Sequence, residues 1–133
     1  MAYAHSLPNQ SRAAWETLEH HLRAVSARAA RHASIFGYAE TARVAGQLHD
    51  IGKASVEFQA YIASPRDTDG AKGPDHSTAG ARVAHKRYPN QIGRMLAYVI
   101  AGHHAGLADA ESLEFRLLEK EIKSFVGWEA HAG

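Results

Sequence analysis

The sequence predicts an all-α protein, a bundle of about six helices folded as one domain over residues 1–133. Three observations carry that expectation. Apolar residues recur at spacings of three and four through most of the chain. Glycine, proline and short polar clusters punctuate those stretches at helix-length intervals. No run alternates apolar and polar residues in the period of two that a half-buried strand requires.

The first helix is expected over about residues 11–34, where Trp15, Leu18, Leu22, Val25 and Ala29 form one stripe. Pro8 and Asn9 precede it and Gly37 follows it. A second is expected over about residues 40–51, with Val44, Leu48 and Ile51 on one face and Gly52 placed to end it. A third, short helix over about residues 55–63 carries Val56, Phe58 and Ile62. Residues 64–75 are loop by their Gly, Pro, Asp and Thr content. The fourth helix, about residues 77–87, stops before Pro89, which ends it. The fifth, about residues 91–101, is expected to turn Ile92, Met95, Leu96, Val99 and Ile100 inward. The sixth, about residues 112–126, carries Leu113, Leu117, Leu118, Ile122 and Phe125 and is closed by Gly127.

Composition narrows the chemistry. The chain has no Cys, which excludes disulfides and thiolate metal sites. No apolar run approaches the length of a membrane span, and the N-terminus lacks the blocks of a secretory signal, so a cytoplasmic protein with no membrane partner is expected. The formal net charge of +1 does not announce a nucleic-acid binder. Residues 1–108 hold 12 Lys/Arg against 8 Asp/Glu, and residues 109–133 hold 3 against 6. Bound divalent cations would add positive charge where a phosphate must sit. The unusual feature is ten histidines. Without Cys, a transition-metal site must come from imidazole and carboxylate.

Six residues stand out. His49-Asp50 lies where the second helix ends, in Leu-His-Asp-Ile-Gly-Lys. Neighbours on a helix point about 100° apart, so one side chain can face one cation while the two carboxylate oxygens of Asp50 bridge a pair. A polar pair near a helix end is also an ordinary solvated feature. His21 falls on the apolar stripe between Leu18 and Val25, where a buried histidine commonly holds one hydrogen-bond partner and nothing more. His76 follows Asp75 at a helix start, and Asp75 can orient the ring or cap the helix. His103 and His104 continue the face of Val99 and Ile100 between two glycines, Gly102 and Gly106. Lys53, one turn past Asp50, is placed to steady a phosphate oxygen or a leaving group, against the plainer reading of a solvated lysine. Arg82, Lys86 and Arg87 share a helix and read first as a solvated face, second as guides for a phosphate backbone.

Ala4-His5-Ser6, His21-Leu22, Gln47 to Ser55, Phe58-Gln59, Asp75 to Ala81 and Ala101 to Leu107 occur in an order that resembles the HD superfamily. More narrowly, over about residues 3–109 it resembles the HD nuclease domain of type I CRISPR nuclease-helicases. The resemblance implies an all-helical HD bundle and a two-metal centre. His21 and His49 would bind the first cation, Asp50 would bridge, and His76, His103 and His104 would bind the second. Lys53 matches the family lysine beside the site. The implied activity is cleavage of single-stranded DNA with one or two Mn, Ni, Co, Fe or Zn ions. The implied partners are a helicase domain and a CRISPR surveillance complex. The family also supplies an Asp to its first metal from a later helix, and no Asp follows Asp109 here. The expectation is a domain cut short before its final helices, with the second cation held better than the first. Two alternatives stand beside the nuclease: an HD-type nucleotide phosphohydrolase, and a catalytically impaired HD docking module.

Overall fold

A computed structural model of the chain describes residues 1–64, 73–104, 106–107 and 109–120. Its architecture is the expected helical bundle. Among the described residues six α-helices make the body: α1 Leu18–Ala33, α2 Ala39–Leu48, α3 Val56–Ala63, α4 Ser77–Arg87, α5 Asn90–Gly102 and α6 Ala110–Glu114. Helix α1 packs along α2 and α4 along α5, and α2 joins the two pairs. No helix among the described residues is long and apolar enough to cross a membrane.

The first helix is shorter than its periodicity suggested. It starts at Leu18, because Thr17 is extended and its hydroxyl accepts from the His20 N–H, capping the helix. Upstream, β1 Tyr3–His5 and β2 Glu16–Thr17 pair antiparallel around a 3-10 turn at Arg12–Ala14. Tyr3 meets Trp15 edge to face at 5.6 Å. The Leu18 N–H also bonds to the Ala2 carbonyl, so the ribbon and the helix start brace each other. Strands this short cannot display an alternating pattern.

Leu18, Leu22, Leu48, Ile51, Ala84, Leu96, Ala97, Ile100 and Leu113 belong to one buried cluster. The inward face of α5 differs from the expected one. Leu96 and Ile100 are buried, but Ile92, Met95 and Val99 are exposed. Gly93, Ala97 and Ala101 take the interior with them on the side where α5 packs against α4, and a Cβ on Gly93 would lie 2.0 Å from the Tyr88 carbonyl oxygen at the end of α4. Val56 of α3 is exposed too, while Phe58 and Ile62 are buried. The last helix also departs from expectation: α6 passes at Phe115 into a π-helical turn that ends at Glu119. The expected continuation through Ile122 and Phe125 to Gly127 lies outside the described residues, as does most of the 64–75 loop.

Two glycines set the spacing on which the site depends. A Cβ on Gly80 would lie 1.9 Å from the Leu48 carbonyl oxygen, so its absence lets α4 pack against the end of α2. A Cβ on Gly52 would lie 2.2 Å from the His76 carbonyl oxygen. Gly52 is therefore needed for space within the 3-10 turn Ile51–Ala54, and α2 has already ended at Leu48. Together these close approaches bring the start of α4 against the turn that carries Asp50.

Candidate metal centre

Asp50 occupies the middle of the site. It follows the C-terminus of α2, and its side chain is 4% exposed. Its two oxygens face two different sets of imidazoles. On the Oδ2 side, His21 Nε2 is at 3.2 Å and His49 Nε2 at 3.3 Å. On the Oδ1 side, His103 Nε2 is at 3.1 Å, His76 Nε2 at 3.5 Å and His104 Nε2 at 3.7 Å. The structure thus brings together all six residues singled out in the sequence. They arrive from α1, the end of α2, the start of α4 and the end of α5.

The rings are held from behind. His49 Nδ1 sits 2.6 Å from the Gly46 carbonyl, His103 Nδ1 2.6 Å from the Ile100 carbonyl, and His76 Nδ1 3.1 Å from the Pro74 carbonyl. A carbonyl only accepts, so each of these Nδ1 atoms carries a proton and each Nε2 is left facing the centre, where it donates to Asp50 while protonated and offers a lone pair to a cation once it is not. Ring nitrogens of the site also lie close to one another. His76 Nε2 is 2.7 Å from His104 Nε2, and His21 Nε2 is 3.3 Å from His49 Nε2. Lone pairs facing each other at such distances call for a proton or a cation between them. The donors fall into two groups, His21, His49 and Asp50, and Asp50, His76, His103 and His104. Imidazole with carboxylate is the ligand chemistry of divalent transition ions, and this cluster suits one.

Electrostatics agree with that reading. Burial pushes the Asp50 carboxyl up, but hydrogen bonds from His103, His21 and His49 outweigh it and hold the group far below the usual carboxylate range. Burial pushes the His76 imidazole down, and burial together with the neighbouring His103 does the same to His104. For His103 burial acts in the same sense, but the bonds to Asp50 and the Ile100 carbonyl win and push it up. Lys53 is 6% exposed and its Nζ lies 2.8 Å from Asp50 Oδ2, with Phe58 under it at 5.6 Å. It is not a solvated lysine. It braces the carboxylate.

Other expectations resolve simply. Asp75 is a helix cap: its Oδ1 accepts from the backbone N–H groups of Ser77 and Thr78, both at 3.1 Å. Asp109 caps α6 by accepting from the Ser112 N–H at 2.8 Å. Arg82 is engaged with the carbonyls of Arg116 and Lys120, so it is a structural clamp and not a phosphate guide. Lys86 and Arg87 are exposed.

One participant was missed. Glu16 Oε2 lies 3.4 Å from His21 Nδ1, behind the ring, and 2.7 Å from His5 Nδ1. With His5 and His21 it makes a third cluster at the rim. Its signal was concealed by assigning residue 16 to the first helix, where its direction would have been different. Residues 18–125 of the chain match the HD domain family. No curated protein matches it.

Proposed function

The chain belongs to the HD domain family, and on that premise we propose that it is a metal-dependent phosphohydrolase. The observation that carries the reading is the division of Asp50: each oxygen of one buried carboxylate has its own histidine set. His21 and His49 would hold one cation, His76, His103 and His104 a second, and Asp50 both. Divalent cations held there supply Lewis acidity toward a phosphoryl oxygen and lower the pKa of water.

The chain's own residues do the rest. The Nδ1 to carbonyl bonds of His49, His76 and His103 fix which nitrogen faces inward. Lys53 holds Asp50 Oδ2 and adds positive charge beside the reacting phosphate. His104, with its side chain 52% exposed, leaves the Oδ1 side open for a phosphoester to enter.

For the substrate we propose the phosphodiester of single-stranded DNA, with a helicase domain and a CRISPR surveillance complex as partners. The order of sequence strings over about residues 3–109 and the open rim at His104 support it. A second reading, a nucleotide phosphohydrolase, is favoured by the near-neutral charge and by Arg82 being occupied elsewhere. Backbone binding ordinarily draws on several Lys or Arg contacts.

Incubation with Mn, then single-stranded DNA and a nucleotide panel, separates the two. Metal-dependent cutting of DNA is expected, with loss in Asp50→Ala. Turnover of nucleotides and not DNA would select the second reading. Metal binding without hydrolysis of either would leave a docking module. Hydrolysis that survives Asp50→Ala would reject the site altogether.

A further inference from the structure

The structure assigns Arg116 a positioning role: it ties the start of α4, which carries His76, to the end of α5, which carries His103 and His104. This rests on reading those three histidines as one ligand set. Arg116 lies in the π-helical turn after α6, with its side chain 17% exposed. Its Nε donates to Thr78 Oγ1 at 3.0 Å, and its Nη2 to Thr78 Oγ1 at 2.9 Å and Ser77 Oγ at 2.8 Å. Its Nη1 donates to the Ala101 carbonyl at 2.8 Å.

These acceptors are not arbitrary. Ser77 and Thr78 are the first two residues of α4, directly after His76. Thr78 Oγ1 in turn donates to Asp75 Oδ2 at 2.6 Å, so the cap before His76 belongs to the same network. Ala101 is in the last turn of α5, two residues before His103, where a helix leaves carbonyls without intrahelical donors. A planar guanidinium can donate in several fixed directions at once, which an ammonium cannot. One side chain therefore spans the gap that His76 Nε2 and His104 Nε2 close at 2.7 Å. The His21 and His49 half of the site has no contact with it among the described hydrogen bonds.

The test uses the whole chain and two variants, Arg116→Met and Thr78→Val. In the metal-free protein, nuclear Overhauser contacts are read between the His76 and His104 rings, whose centroids are 4.6 Å apart, and between the His21 and His49 rings, 5.3 Å apart. The expected result is loss of the first contact with retention of the second. With Co(II) alone as the probe, calorimetry should show one of two binding steps weakened about tenfold, the lower end of the range for losing a group bonded to the ligand itself, since Arg116 acts through the backbone that carries the ligands. Arg116→Lys should not restore it. Both contacts and both steps unchanged in a folded variant would overturn the assignment, as would both contacts disappearing together. If Arg116→Met does not fold, Thr78→Val decides alone. A wild-type chain that takes up no Co(II) would defeat the metal reading, and the ring contacts would still decide the role of Arg116.

Discussion

At the scale of single residues, protons and cations compete for the same nitrogens. Only an unprotonated Nε2 can bind a metal. His76 and His104 are pushed down by burial, so they shed their protons early as pH rises. His103 is pushed up by Asp50, so it sheds its proton last. Cation affinity on the Oδ1 side should rise with pH and level off once His103 has titrated. Below that point it should fall about tenfold per pH unit, one proton being displaced per cation. Calorimetric Mn binding across about pH 6 to 8 checks this; affinity that is flat or falls with pH would contradict it. The same carboxylate makes both effects, because Asp50 stabilises a proton on His103 and a cation in its place.

At the scale of elements, helix ends deliver the chemistry. The end of α2 supplies His49 and Asp50, the start of α4 His76, and the end of α5 His103 and His104. Contact between them needs close backbone approach. Gly80 allows it, since a Cβ there would meet the Leu48 carbonyl at 1.9 Å and backbone cannot rotate away. Gly80→Ala should therefore force α4 off α2 and cost about 1–3 kcal/mol, the usual range for overpacking. Thermal unfolding of the metal-free variant measures the cost. Weakened Mn binding should accompany it, because His76 rides on the displaced helix. An unchanged melting temperature would mean that α4 is not held by this contact.

For the whole molecule, the site is also a linkage between distant parts of the chain. His21 and Asp50 are 29 residues apart in sequence, and Asp50 and His103 are 53 apart. Unfolding scatters these donors, so cations that bind the folded chain stabilise it by mass action. Mn at about 100 times its Kd should add roughly 2.7 kcal/mol per site. That gain should appear as a higher melting temperature, vanish on chelation, and be absent in Asp50→Ala. No shift at saturating Mn would mean that the cluster does not hold the ion.

Local rules made much of this molecule legible. Helix periodicity and punctuation depend on near neighbours, so the six helices and the class of the fold were readable from the sequence, though not the start of the first. The histidines drew notice because their positions fell on apolar faces and at helix ends. Three things were not readable. The ribbon of Tyr3–His5 with Glu16–Thr17 is too short to carry a pattern. The buried line of α5 through Gly93, Ala97 and Ala101 is set by how near α4 lies, which no property of α5 alone reveals. Glu16 and Arg116 take their roles from the atom each one meets across space. Spacing along a chain determines which way a side chain points from its own helix. Only packing decides what stands opposite it, since a hydrogen bond or a shared cation is fixed by ångströms between elements and not by residues between positions.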